Sequence, residues 1–255
     1  MKAKKITAAK SNGRIYTPDY IVNIILDLSG YTQSNVIRKH IIDNSCGDGA
    51  FLVKIVDRYC KQAQLKKYDL NELKHDLETY IHGIEIDPLE CEKCIKNVAT
   101  VAKHYGIENV DWDINCENTL CVKRFNRKMD FVVGNPPYVR VHNLDESADL
   151  TKTFSFAQNG MTDLYIVFYE IGLAMLNEKG VLGYITPSSY FNSLAGNYMR
   201  KLFVDENLID AIVDLKHFQA FNATTYTEIT ILKKDRSNKT VDYYQFDEKK
   251  HIQYY

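Results

Sequence analysis

Short apolar runs alternate along this chain with longer stretches whose apolar residues recur every three or four positions, and this alternation predicts strands and helices in turn. Ile21, Ile24, Ile25 and Leu28 share one helical face, bounded by Thr17 as N-cap, Pro18 as first helical residue and Gly30 as the stop. A strand ending near Ile42-Asp43 follows, then a turn with two glycines and a helix from about Ala50. Residues 61 to 79 are polar and read as a helical excursion before a second strand, Ile81 to Ile86. That strand runs into Asp87-Pro88-Leu89-Glu90, a helix start with Asp87 as cap, Pro88 in the first position and Glu90 three residues on. The helix should end near Gly106.

A third strand is expected around Val110 to Cys116 and a fourth at Met129 to Val133. Residues 139 to 160 are polar without clear periodicity, and loops of that length in a compact domain are usually functional or disordered. A helix from Asp163 to Asn177 leads into the strand Val181 to Ile185. A helix from Leu194 to Glu206, a strand from Leu208 to Leu215 and a last strand from Tyr226 to Lys233 complete the pattern. Such alternation means an α/β fold, a mostly parallel twisted sheet with helices on both faces.

The 255 residues, 45% hydrophobic and 25% charged, suffice for one full α/β domain and leave too little for a second substantial one. No apolar run approaches a membrane span, and the basic start Met1-Lys2-Ala3-Lys4-Lys5 lacks a following apolar stretch, so a cytoplasmic location without membrane contact is expected. The six cysteines are scattered through predicted helices and strands and read as free thiols. Cys91-x-x-Cys94 puts two of them on one helix face, but no second such pair partners it, and no metal site is expected. A net charge of -1 does not establish a polyanionic partner. The clusters Lys2, Lys4, Lys5, Lys10, Arg14 and Lys123, Arg124, Arg127, Lys128 read first as a flexible tail and solvated loops.

The chemistry begins at Asn135-Pro136-Pro137-Tyr138, directly after the run Phe131-Val132-Val133-Gly134. Two prolines stiffen the backbone, so the Asn135 side chain and neighbouring carbonyls form a fixed array of acceptors with an aromatic ring beside it. The array stands where a buried strand of an open α/β sheet ends, which is where such folds place ligands. It describes a pocket for a planar amino group. A second turn, Asp43-Asn44-Ser45-Cys46-Gly47-Asp48-Gly49-Ala50-Phe51, lets a ligand approach the backbone at its glycines. A nicotinamide enzyme would want a third glycine where Leu52 stands and an acidic residue about twenty positions on. Glu85 is much farther along, at the end of the second strand, where it can accept two hydrogen bonds from a ribose diol or be a simple strand-end carboxylate.

In order along the chain, Arg14 to Pro18, Asp43 to Phe51, Gly83 to Pro88, Asn118-Thr119-Leu120, Asn135 to Tyr138, Asp163-Leu164-Tyr165 and Phe221 to Thr227 resemble the motif series of the gamma-class N6-adenine-specific DNA methyltransferases of restriction-modification systems, including nuclease-fused forms. The resemblance runs from about residue 14 to residue 233 and is specific through order and spacing. It departs from the family at Asn44, where proline is usual, and at Asn118, where aspartate is usual. It implies a Rossmann-like methyltransferase fold with an antiparallel last strand, and S-adenosylmethionine as cofactor. Thr17 would help hold the methionine carboxylate, Asp43, Cys46 and Gly47 would line the methionine portion, Glu85 would bind the ribose hydroxyls, Ile86 would pack on the cofactor adenine, and Asn118 would face its amino group.

Asn135, Pro136, Pro137 and Tyr138 would then be the catalytic set. The amino nitrogen of adenine is a poor nucleophile because its lone pair is delocalised into the ring; if Asn135 Oδ1 and the Pro136 carbonyl each accept one N–H, the lone pair is localised for in-line transfer. The base must leave the duplex, and Tyr138 and Phe221, or Phe218 instead, would stack on it. A protein-glutamine or RNA N-methyltransferase, or a non-catalytic subunit of a modification complex, are the alternatives. Double-stranded DNA is the expected partner. Residues 1–13 are expected to be a basic tail, 14–240 the catalytic domain, and 241–255 a C-terminal extension or the start of a linker to a target-recognition domain. Nothing after the last strand is long enough to read base edges, so the chain is expected to be a catalytic domain cut from a longer protein, or one that borrows its recognition from a partner, and to bind cofactor well but DNA weakly on its own.

Overall fold

The computed structural model describes residues 17–144, 147–158, 162–216, 226–247 and 253–254. Its strands are β1 (Ile41–Asp43), β2 (Ile81–Glu85), β3 (Asp113–Cys116), β4 (Met129–Gly134), β5 (Leu176–Pro187), β6 (Ile209–Asp214), β7 (Thr227–Lys233), β8 (Asp242–Gln245) and β9 (Gln253–Tyr254). They form one nine-stranded sheet in the order β3-β2-β1-β4-β5-β7-β6-β8-β9. β1 is parallel to β2 and β4, β2 to β3, β4 to β5, and β6 to β8, whereas β7 runs antiparallel to β5 and β6. β1 is buried throughout, and β4 nearly so, because helices cover both faces, which is why these strands read as continuous apolar runs. From β1 the chain moves outward to β2 and β3 and then returns to β4 on the other side of β1. In open α/β sheets ligands bind beyond the carboxyl ends of the strands where the order reverses in this way, here at β1 and β4.

On one face lie α1 (Asp19–Leu28), α2 (Ala50–Leu65), α3 (Leu70–Tyr80) and α4 (Pro88–His104), whose Ile21, Ile25, Phe51, Ile55, Leu77 and Val98 share a core with Ile229 and Ile231 of β7. A short helix, α5 (Ser147–Thr151), precedes α6 (Leu164–Met175) and α7 (Asn197–Asp205), which pack on the opposite face through Phe168, Tyr169, Met199 and Phe203. Every residue of α6 but Glu170 and Ala174 is buried, as an apolar surface on nearly all sides requires. No helix among the described residues is long and apolar enough to cross a membrane, and all six cysteines are free.

Several expected boundaries shift for identifiable reasons. Asp87 caps α4, its Oδ1 accepting from Leu89 N at 2.9 Å, with Pro88 in the first turn. Thr17, by contrast, does not cap α1: Pro18 holds the cap position with φ -60° and ψ 145°, no side chain caps the helix, and the Thr17 hydroxyl is engaged elsewhere. The helix expected from Leu194 starts at Asn197, because Arg200 reaches back to the carbonyls of Tyr190 and Ser193 and holds the preceding segment as a turn. β5 is longer than its apolar run because a bulge between its pairings with Met129 and Phe131 lets it begin at Leu176. β8 has no counterpart in the apolar pattern; its residues are all half-buried, so neither face marks it.

One buried carboxyl has a measurable consequence. Glu228, near the start of β7, faces Tyr190 and Thr230, and burial raises its pKa from 4.5 to about 8, with Asp214 adding to the rise and the hydrogen bonds from Tyr190 and Thr230 opposing it. Because the folded carboxyl keeps its proton to a higher pH than the unfolded one, it costs nothing below about pH 4.5 and progressively more stability as the pH rises to about 8. Glu228→Gln keeps an acceptor for Tyr190 and Thr230 without that cost. Its advantage over the parent in urea denaturation should grow by up to about 1.4 kcal/mol per pH unit across the window and vanish near pH 4.

Candidate active site

β1 and β4 are neighbours with Asp43 beside Val133, so the segments that leave them, 44–49 and 135–138, share the carboxyl edge of the sheet. They meet closely because residue 134 is glycine: its φ is 154°, and a Cβ there would lie 2.7 Å from Asp43 Oδ1. Ser45 ties the two segments, its N–H donating to Asp43 Oδ1 at 3.1 Å and its hydroxyl to the Asn135 carbonyl at 3.4 Å. Burial raises the Asp43 carboxyl to about 8; the Ser45 amide opposes the rise and the nearby Glu85 adds to it.

Glu85, at the end of β2, is held by two backbone donors, Gly47 N to Oε2 at 2.9 Å and Asp87 N to Oε1 at 2.8 Å. Both oxygens are therefore fixed in place, and each retains a lone pair for an outside donor. Gly47 has φ 53°, and no atom lies within 4 Å of where its Cβ would be, so the backbone of the turn faces open space. Ile86 follows with 61% of its surface exposed. A fixed carboxylate, an open backbone edge and an exposed apolar side chain in sequence suit a nucleoside, with the diol at Glu85 and the base at Ile86.

The other expected cofactor residues are placed less directly. Cys46 donates its N–H to the Ile84 carbonyl at 3.0 Å and turns its thiol into the core against Cys94, so it offers the turn its main chain and not its sulfur. That contact and burial both push the thiol upward. Asn118 Oδ1 accepts from Leu120 N at 3.1 Å and heads the short 3-10 turn Thr119–Cys121. This turn joins the first one through Thr119, whose hydroxyl donates to the Asn44 carbonyl at 2.7 Å.

Asn135 carries the most informative geometry. Its Nδ2 donates to Thr17 Oγ1 at 3.1 Å, which explains why Thr17 leaves its helix uncapped and aims the amide oxygen the other way. Asn135 Oδ1 is buried and has no hydrogen-bond partner among the described residues. An unsatisfied buried acceptor costs about 1–3 kcal/mol, so the fold keeps this atom open at a cost that an incoming N–H would remove. Pro136 is buried beside it, and Pro137 is half-buried. The Tyr138 hydroxyl donates to the Ile185 carbonyl at 3.1 Å, and its ring meets Tyr165 edge-on with centroids 6.3 Å apart. The strip that follows is stitched to the start of α6 by Leu164 N to the Val139 carbonyl at 2.8 Å and Val141 N to the Thr162 carbonyl at 3.0 Å. Phe221, its alternative Phe218, and Arg14 to Tyr16 lie outside the described residues.

A mostly parallel sheet with an antiparallel β7 between β5 and β6, and a glycine turn after β1, is the Rossmann-like methyltransferase fold. The model of the Eco57I restriction-modification methylase family matches residues 27–221, and the chain belongs to that family. The type II methyltransferase M.BstVI of Geobacillus stearothermophilus is 31% identical over 247 residues, covering 91% of this chain and 44% of its own length. The M protein of the type I restriction enzyme EcoKI has a similar fold, with a TM-score of 0.71 at 18% identity over 91% of this chain and 48% of its own. The ATP-dependent type ISP restriction-modification enzyme LlaBIII bound to DNA gives 0.72 at 17% identity, over 92% of this chain and 20% of its own. The chain spans less than half the length of the curated relatives M.BstVI, M.PaeR7I and M.XhoI. Membership of this methylase family implies S-adenosylmethionine as the cofactor.

Proposed function

We propose that this chain is the catalytic part of a DNA methyltransferase of a restriction-modification system, acting on the N6 amino group of an adenine flipped out of duplex DNA. The observation that carries the reading is the buried Asn135 Oδ1, an acceptor with no donor among the described residues, at the edge of a methyltransferase fold where ligands bind. Family membership supports the reaction class, and the DNA-bound relative of similar fold supports the substrate class.

Glu85 would hold the ribose hydroxyls of the cofactor, Ile86 its adenine, and the backbone at Gly47 its methionine portion beside Asp43. Thr17 accepts from Asn135 and has a hydroxyl proton left to donate to the methionine carboxylate. Asn118 would meet the cofactor's adenine amino group. When bound, S-adenosylmethionine supplies an electrophilic methyl group. Asn135 Oδ1 and the Pro136 carbonyl accept the two N–H bonds of the target amino group, which returns the nitrogen lone pair to the nitrogen and orients it. Tyr138, held by Ile185 and Tyr165, forms one wall for the flipped base, and Phe221 the other. Reading of the base sequence is assigned to a recognition domain or subunit outside these residues, in keeping with the larger size of the relatives.

The test is transfer of labelled methyl from S-adenosylmethionine to duplex DNA, to RNA and to a protein lysate, followed by digestion of labelled DNA to nucleosides. Label in N6-methyladenosine of the deoxy series is expected. Label only in protein or RNA, or on cytosine, would overturn the substrate assignment.

A further inference from the structure

Asn44 stands at the position where the resembling family usually carries proline, and it is wholly buried. A buried amide in place of an apolar ring must have all its polar atoms met. Its Oδ1 accepts from the Tyr184 hydroxyl at 2.9 Å, its Nδ2 points to Met175 Sδ at 3.9 Å, and its carbonyl accepts from Thr119 Oγ1 at 2.7 Å. Tyr184 lies in β5 and Met175 ends α6, and both are fully buried. Asn44 therefore reaches into the core on the α6 side of the sheet, while Cys46, two residues on, sends its thiol into the core on the α4 side. The turn between them is held from both faces.

We infer that Asn44 is a positioning residue of the cofactor site: paired with Tyr184 and Thr119, it fixes the turn after β1 against the Asn118 turn, so that the two present their ligand-facing groups at one spacing. The inference rests on the reading that residues 43–49 hold the cofactor. Asp43 precedes Asn44, and Gly47, the donor to Glu85, follows three residues later; a shift at Asn44 is passed to both. Asn118 and Thr119 are adjacent, so the 2.7 Å bond from Thr119 sets the distance between the two turns directly. The pair with Tyr184 is all-or-none in character. Removing either partner leaves the other buried without its hydrogen bond, whereas removing both leaves no polar atom unmet.

The experiment measures S-adenosylmethionine affinity by calorimetry, together with melting temperature and KM for duplex DNA. The proteins are the parent chain, Asn44→Ala, Tyr184→Phe, the double variant and Thr119→Val, with Glu85→Ala as a control on the site. Tyr184→Phe removes one oxygen and keeps the ring, so it retains the fold. Each single change should weaken cofactor binding by about tenfold with KM for DNA unchanged, and the double variant should bind no more weakly than the weaker single. Singles that bind like the parent, losses that multiply in the double, or a melting temperature that falls while affinity stays would overturn the role of Asn44. If Glu85→Ala also binds like the parent, the placement of the cofactor in this turn fails, and the inference about Asn44 fails with it for that separate reason.

Discussion

Asn135→Ala should lower the rate of methyl transfer by about 10²–10³-fold, the loss typical of removing one preorganised polar group aimed at a reacting centre. Cofactor affinity and melting temperature should stay near those of the parent chain. The reason for the split lies in what Asn135 touches. Its Oδ1 has no hydrogen-bond partner among the described residues, so its removal deprives none of them, and it even relieves an unmet buried acceptor. Its Nδ2 donates to Thr17, and the Thr17 hydroxyl can reorient. Single-turnover kinetics with labelled cofactor, alongside calorimetry, separate the two effects. Asn135→Asp tests the chemistry further: a carboxylate still accepts but has no N–H for Thr17, so a partial loss is expected. Activity of Asn135→Ala equal to that of the parent would remove the proposed mechanism.

Glu85→Ala should weaken S-adenosylmethionine binding by about 10–100-fold, since hydrogen bonds to a charged group contribute about 1.5–3 kcal/mol and each 1.4 kcal/mol is tenfold. Glu85→Gln should be no better. Both carboxylate oxygens already accept from backbone N–H groups, Gly47 on one and Asp87 on the other, and a glutamine amide would turn an NH₂ toward one of those donors. The substitution therefore loses the ribose contact and strains the turn together. Calorimetric titration of the parent, Ala and Gln proteins decides it: a Gln variant that binds like the parent would show that the carboxylate is a strand-end residue with no ligand.

Much of the chain is legible in its sequence. The fully buried strands appear as apolar runs, the start of α4 is written in Asp87-Pro88, and Asn135 to Tyr138 stands at the end of its strand as expected. The apolar runs place Asp43, Glu85 and Asn135 at strand ends, and all three lie at the carboxyl edge of the sheet. The misses have a common form. Thr17 satisfies every local rule for an N-cap, yet an amide 118 residues away takes its hydroxyl. Cys46 sits inside the turn proposed to line the cofactor, yet its thiol faces a helix. β8, half-buried along its length, had no periodicity to reveal it. Ser45, Thr119 and Tyr184 carry no signal of their own and matter only through the atoms they meet.

The sequence by itself determined most of the strands and helices, where the turns after β1 and β4 fall, and what kind of chemistry an amide followed by two prolines can do. Periodicity and turn residues report local burial and local backbone geometry, and these suffice for that much. Only the tertiary structure decided that Asn135 Oδ1 is left open, that Glu85 is clamped from both sides, and that Asn44 finds its partner 140 residues away on Tyr184. Those facts depend on the order of strands in the sheet and on the return of the chain from β3 to β4. No local pattern encodes which distant polar atom will arrive to satisfy a buried one, or that none will.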